Sequence, residues 1–436
     1  MEASMNKTDR RKKLNELKND ESAVVSTGIS LRYQGRTTQD NKVYRIPLEF
    51  LIYNKHNGRI GSVVQSYEAQ HGEELNPEIE HDRLLIERFL YESRKDRNKT
   101  TMASLLKDRQ QKHGIVTADG VIVDGNRRAM LLNKLFHERE SLGYSFKEVE
   151  HCQYFDAIIL PDGATEKDMH QLETIYQMGE DDKVDYNAIE KYLKCKELRK
   201  YFEVKDIADF MNEKPSQIEE WLGILELMED YLSVNEYDGI YTCLEKREGQ
   251  FVDLRGYIES YKRGGSNTNV VDWDYDETDI SDLTSVCFDY IRAKYEGKEF
   301  REIAKTGKDG SIFAFEEIWK AFLSEHEKNR ITSEESVAAI REKNPSADLT
   351  KLLHARDEDW AKEARSSLQS NLKWHSDKVE ERREKNNPKW LLKRALSALE
   401  AIDLGVDSLY NDEEAEDYVK KISSIVWEIK KGIDRS

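Results

Sequence analysis

The sequence predicts an α+β amino-terminal unit, then a mostly α-helical middle region and an all-α carboxy-terminal region. Three observations carry that expectation. Strand-like runs stop at Pro161-Asp162-Gly163. Beyond that point apolar residues recur at three- and four-residue spacing, the period of an amphipathic helix. Only six prolines occur in 436 residues, so little interrupts helices.

In chain order, residues 1–22 read as a flexible lead, basic at Arg10, Arg11, Lys12 and Lys13 and then acidic. Residues 23–165 form the α+β unit. Its strand signals are Val43–Pro47, Ile115–Thr117, Gly120–Val123 and Phe155–Leu160, where β-branched residues cluster between turn residues. Helical periodicity fills 78–93, about 101–112 and Asn126–Glu140. Residues 166–261 carry four helical segments: 166–178, 185–201, 204–212 and 215–232. The stretch 262–280 holds the only Gly-Gly and a block of Asn, Asp and Thr, which marks a loop or junction. Residues 281–436 return to helix at 281–296, at 312–328 and through the last hundred residues, with a break at Asn387-Pro388. Trp360, Trp374, Trp390 and Trp427 lie on these helical patterns and are expected to pack a core or a dimer seam.

Composition narrows the function. Lys+Arg 68 against Asp+Glu 86 gives a net charge of −18, so nucleic-acid binding through overall charge is excluded and only a local basic patch could serve. The four cysteines (Cys152, Cys195, Cys243 and Cys287) are dispersed without a CxxC pair, which argues against a disulfide framework or a cysteine zinc site and points to a reducing cytoplasm. The polar start MEASMNKTDRRKKLNELKND has no signal-peptide pattern, and the longest apolar runs are strand-sized, so no membrane association is expected.

The stretch 114–136, GIVTADGVIVDGNRRAMLLNKLF, carries the most chemistry. A hairpin turning at Ala118-Asp119-Gly120 runs into Val121-Ile122-Val123, and Asp124-Gly125-Asn126-Arg127-Arg128 opens a helix. Gly125 permits a tight turn. The helix start offers free N–H groups, and Arg127 and Arg128 offer forked donors, which together describe a phosphate cradle. An ordinary strand-to-helix turn with two surface arginines gives the same pattern.

Here the chain resembles the ParB/Srx superfamily, specifically ParB-type partition proteins, over about 42–232. The G-x-R-R-type box of that family matches Gly125-Asn126-Arg127-Arg128. Its E-N-x-x-R-like box matches Glu173-Thr174-Ile175-Tyr176-Gln177 after the strand Ala157–Leu160. Its next helix resembles Tyr186–Tyr192, and its helix-turn-helix resembles Val204–Met211 followed by Pro215–Leu227. The resemblance implies a nucleoside triphosphate (CTP or ATP) bound with Mg²⁺. Gly125, Asn126, Arg127, Arg128, Thr174 and Gln177 would bind the nucleotide, Glu173 and Thr174 the metal, and Glu173 or Asp124 would serve hydrolysis. Thr174 stands for the family's asparagine and Gln177 for its arginine, which leaves base identity and hydrolysis open. Asn54, Asn57 and Arg59 are a loose counterpart of the family's first box. Sulfiredoxin-type chemistry needs a cysteine where Asn126 stands. Nuclease or phosphotransferase relatives would use Asp124 or Glu173; Asp124 equally suits a helix cap.

Charge argues against ancestral DNA reading. From Tyr201 to Asp230 there are nine acids and two lysines, with Glu219 and Glu220 at the start of the second helix of the pair, where groove contacts concentrate. The better basic candidate is 94–112, with Arg94, Lys95, Arg97, Lys99, Lys107, Arg109 and Lys112 against two acids. The basic stretch 373–394 interleaves four acids and reads as a solvated helix face. Three readings follow. One is a nucleotide-dependent switch, expected to be a homodimer, engaging DNA or a protein partner. Another is a nuclease or phosphotransferase. The last is an interaction scaffold whose acidic carboxy-terminal helices bind a protein partner.

Overall fold

The computed structural model describes residues 5–34, 36–177, 187–263, 271–293, 297–307, 309–331, 334–345, 347–385, 388–402 and 413–434. It is a mixed α+β chain with one five-stranded sheet near its amino terminus and helices elsewhere. The first element is helix α1, Lys7–Lys18, capped by the Asn6 side chain on the Asp9 N–H. This corrects the expectation of a flexible lead. Leu14 is fully buried, and the buried Arg10 guanidinium donates to the Asp119 carbonyl at 3.0 Å, the Met5 carbonyl and Glu78. Burying Leu14, packing Leu17 against the same core and satisfying one guanidinium fixes a helix whose remaining residues are polar.

The sheet comprises β1 (Val24–Tyr33), β2 (Arg36–Pro47), β3 (Gly114–Val116), β4 (Ile122–Asp124) and β5 (Tyr154–Ile159), in the order β1-β2-β5-β3-β4. All neighbours are antiparallel except β3 and β5. Residue parity sorts the side chains as a pleat requires. Tyr44, Ile46, Val116, Ile122, Phe155 and Ala157 pack on one face, and Leu31, Val43, Ile115, Val123 and Ile158 on the other. Strand β1 was not expected, although Ile29, Leu31 and Tyr33 alternate and pack on the second face; the outer half of β2 carries no apolar alternation and pairs with β1 as a hairpin.

Three helices cover the first face: α2 (Gly61–His71), α3 (Glu80–Ser93) and α4 (Lys95–Asp108). They are joined by α5 (Asn126–His137) and the short α6 (Phe146–Val149). Helix α2 was not anticipated, and α4 starts six residues before the expected 101. On the second face Leu172 of α7 (Glu166–Gln177) packs against the sheet.

Then follow α8 (Ala188–Leu198), α9 (Val204–Met211) and α10 (Pro215–Val234). Helices α9 and α10 form the expected pair, joined through left-handed Asn212, with Ile207, Ala208, Met211 and Ile218 closed against Cys195 and Leu198. Glu219 and Glu220 are exposed.

The remaining helices are α11 (Glu248–Lys262), α12 (Glu277–Ala293), α13 (Phe300–Ala304), α14 (Glu316–Lys328), α15 (Val337–Lys343), the long α16 (Leu349–Lys385), α17 (Pro388–Glu400) and α18 (Glu413–Ile433). One core runs from Ile189 of α8 through Phe288 and Trp319 to Val379 of α16. The junction at 262–280, of which 264–270 lie outside the described residues, therefore does not separate two cores. Trp360 joins this core, whereas Trp374 and Trp427 are exposed; the Trp390 side chain lies outside the described atoms. No described helix is long and apolar enough to cross a membrane.

Candidate functional site

The strand-to-helix turn after β4 forms as the sequence requires. Gly125 has φ +100°, and a Cβ there would stand 2.6 Å from the Phe155 ring, so only glycine fits. The residues around it then part company.

Arg127 points toward the junction of α3 and α4. Its Nε and Nη2 donate to Asn98 Oδ1 at 3.1 and 2.9 Å, and Nη2 also reaches the Arg94 carbonyl at 3.3 Å. Asn98 is fully buried and held in turn by its own bond to the Tyr91 carbonyl. Burial pushes Arg127 below the ordinary arginine range, and the positive fields of Arg59, Arg94 and Arg97 add to that push while Asp96 opposes it. Arg59, Arg94 and Arg97, from two other segments, thus act on Arg127, and Asp96 pairs with Arg94 at 3.4 Å and with Arg97 at 3.9 Å. A cavity of about 300 Å³ opens beside Arg59 and Arg94, lined also by Ser62, Ser93 and Asn187 and by the acids Glu92, Glu190 and Glu245.

The partner residues of the motif turn elsewhere. Arg128 pairs with Asp124 at 2.9 Å and donates to the Lys112 and His113 carbonyls, clamping the start of β3 to α5. Asp124 is thereby engaged, and α5 has no side-chain cap, so Asp124 neither caps the helix nor enters the cleft. Asn126 is buried; its Oδ1 accepts from the Asn54 N–H and its Nδ2 donates to the Ile122 carbonyl, both at 2.9 Å. It positions the 54–60 loop and does not face a ligand. In that loop Asn57 accepts from the Arg59 N–H, an Asx turn that sets where Arg59 leaves the backbone.

Of the basic run 94–112, Arg94 and Arg97 lie near Arg127. Lys95, Lys99, Lys107, Arg109 and Lys112 stay exposed on or just after α4.

Glu173 and Thr174 do not fit the metal role that the resemblance implies. Glu173 is buried; Oε1 accepts from the Gly58 N–H and Oε2 from Lys194 Nζ, each at 2.8 Å. The Thr174 hydroxyl donates to the His170 carbonyl at 2.7 Å, within its own helix. Among the described residues no group of three or more His, Cys, Asp or Glu side chains is arranged to hold a metal ion. Gln177 closes α7 as a buried residue. No thiol is available for sulfiredoxin-type chemistry: the four cysteines are buried, and burial pushes the Cys152 thiol up to about 11.

Two charged clusters of α8 were missed. Glu190 accepts from the Ser62 N–H at 3.2 Å and the Ser62 hydroxyl at 2.6 Å, placing a carboxyl at the start of α2. Burial pushes Glu190 up to about 7, the Ser62 bonds pulling it back. Lys194 lies between Glu173, Glu197 and His170. The signal was present as Glu190, Lys194 and Glu197 at spacings of four and three, one helical face of alternating charge. Such a face usually meets solvent; here it meets α7 and the 54–60 loop.

No family model, curated protein or solved structure matches this chain.

Proposed function

We propose that the chain is a ParB-like nucleotide-dependent switch. A nucleoside triphosphate lays its phosphates against Arg59, Arg94, Arg97 and Arg127, and its presence controls association between protomers and engagement of DNA or a protein partner. One observation carries the reading: Arg59 of the 54–60 loop and Arg94 of the α3–α4 junction line one cavity, and Arg127 is fixed by Asn98 against the Arg94 carbonyl. Asp96 pairs with Arg94 at 3.4 Å and with Arg97 at 3.9 Å, and an anionic ligand would add forked acceptors to the same guanidinium groups. Asp124 and Glu173 are each occupied by a basic side chain, which favours binding over nuclease or phosphotransfer chemistry. DNA engagement falls to the exposed lysines of α4 and not to the acidic α9–α10 pair.

The partner protomer is a second copy of α18. Tyr418, Val419, Ile422, Ile425, Val426 and Ile429 form one stripe, each 38–61 % exposed. At about 100 Å² apiece they offer roughly 600 Å², toward the ~800 Å² per partner of a standard interface. An antiparallel pair crossing at Ser423–Ser424 sets Ile422 on Ile425, Tyr418 on Ile429, Glu416 by Lys430 and Lys421 by Glu428. This register is self-complementary, as a two-fold interface requires.

Calorimetry with each of the four ribonucleoside triphosphates tests the function. Binding by one of them, weakened at least tenfold by Arg59→Ala or Arg94→Ala, is expected. Absence of binding by all four rejects it.

A further inference from the structure

Lys194 stands among groups that ordinarily bind divalent cations. Its Nζ lies 2.8 Å from Glu173 Oε2, 3.0 Å from Glu197 Oε2 and 3.1 Å from His170 Nδ1. The Lys194 and Glu173 side chains are each 2 % exposed. His170, pushed down to about 4 by burial and by Lys194, is a neutral imidazole that accepts from the ammonium. Burial works against a charged Lys194, but the two carboxyl groups outweigh it and hold the ammonium above its ordinary range.

We infer that the Lys194 ammonium is the resident cation of this site, so that the arginine cleft takes its phosphate ligand without a divalent metal. The inference rests on the reading of the cleft as a phosphate site, and three observations on the geometry lead to it. Magnesium needs near-octahedral oxygen donors at about 2.0–2.1 Å and keeps several waters. Here one Glu173 oxygen is spent on a main-chain N–H, the other on a tethered ammonium, and the neighbouring Thr174 hydroxyl on its own helix. The positive charge that a metal would bring is supplied at the cavity by Arg59 and Arg94 instead. Lys194 also acts on the cleft through position. It holds Glu173, Glu173 holds the Gly58 N–H, and the next residue is Arg59. Lys194 is therefore a positioning residue and a fixed charge, not a ligand contact.

Two measurements test this. Mn²⁺ alone is titrated into the full-length protein and followed by the loss of the free-ion EPR signal. Wild type is expected to leave the signal undiminished. Lys194→Ala, with Glu173, Glu197 and His170 around the vacated point, is expected to take up one ion, and adding Glu173→Gln is expected to abolish that uptake. Wild-type uptake that Glu173→Gln removes overturns the inference, as does a folded Lys194→Ala protein that takes up none. Should Lys194→Ala fail to fold, the wild-type titration with its Glu173→Gln control still decides. The second measurement is nucleotide calorimetry in EDTA and in Mg²⁺. Affinities equal within twofold are expected, and a tenfold gain with Mg²⁺ overturns the inference while leaving the cleft intact. Absence of nucleotide binding in both buffers rejects the cleft reading, and the Mn²⁺ titration alone then decides whether Lys194 holds the cation position.

Discussion

Arg127 reaches across from the start of α5 and places two N–H groups on the single carboxamide oxygen of Asn98, at 3.1 and 2.9 Å. That contact converts a surface arginine of a strand-to-helix turn into a fixed, half-buried charge. It also ties the turn to the basic helix α4, so the two positive features of the sequence become one.

Asn98→Ala should leave the Arg127 guanidinium without its main acceptor and cost about 1–3 kcal/mol of stability, read by urea unfolding. Asn98→Asp keeps an acceptor for both Arg127 bonds but cannot donate to the Tyr91 carbonyl, so it should also lose about 1–3 kcal/mol. It should in addition weaken triphosphate binding by at least tenfold, since it places a negative charge inside the arginine group. Equal affinity for Asn98→Asp and wild type would show that Arg127 does not contribute to the binding field.

The adjacent arginines should separate cleanly. Arg128→Ala removes the Asp124 pair and the bonds to the Lys112 and His113 carbonyls, so unfolding should become easier by about 1–3 kcal/mol with ligand affinity within twofold of wild type. Arg59→Ala should do the reverse, with an unchanged melting temperature and weaker ligand binding.

Gly125→Ala combines a backbone penalty at φ +100° with a Cβ placed against the Phe155 ring. A loss of about 2–4 kcal/mol is expected. Adding Phe155→Leu should recover part of it by removing the ring atoms that the new methyl meets. A fully tolerated Gly125→Ala would mean that the turn rearranges.

Glu190 sets a pH dependence with a definite sign. Its carboxyl is raised from 4.5 to about 7 by burial, so the folded state binds its proton more tightly than the unfolded state. Its contribution is fully present below about pH 4.5 and is lost as pH rises to about 7, a decline of order 3 kcal/mol. Glu190→Gln should flatten the fall in stability across that interval. Parallel curves for the two proteins, from unfolding at half-unit pH steps, would rule out Glu190 as the source.

Ile422→Asp with Ile425→Asp should convert a dimer to a monomer by light scattering, because both meet at the centre of the antiparallel register. Reversing Lys430 to Glu should weaken the dimer, and adding Glu416→Lys should restore it. A wild-type chain that stays monomeric at all concentrations would assign the stripe to something other than a second copy.

The α+β start, the strand-turn-helix at Gly125, the α9–α10 pair and the helical remainder were legible in the sequence, because each is written in local periodicity, in turn residues or in a capped helix start. Strand β1 and helix α2 were not: the Ile29-Leu31-Tyr33 alternation of β1 is short and follows Gly28, and α2 has a weak apolar period, so pairing and packing complete both. Helix α1 looked like a free lead because Leu14 and Leu17, its two apolar residues, make too short a stripe among charged neighbours.

At the site, the sequence by itself determined that Gly125 must turn and that basic residues cluster at 94–112 and 127–128. Only the tertiary structure decided which of them act together. Side-chain direction, and not residue type, sends Arg127 to Asn98 and Arg128 back to Asp124, although the two are adjacent. Likewise a Glu–Lys–Glu face that reads as solvated turns inward on α8, because α7 and the 54–60 loop happen to supply its partners. Whether a charge is exposed, paired or gathered with others of its sign depends on contacts between segments far apart in the chain, and no local pattern encodes those.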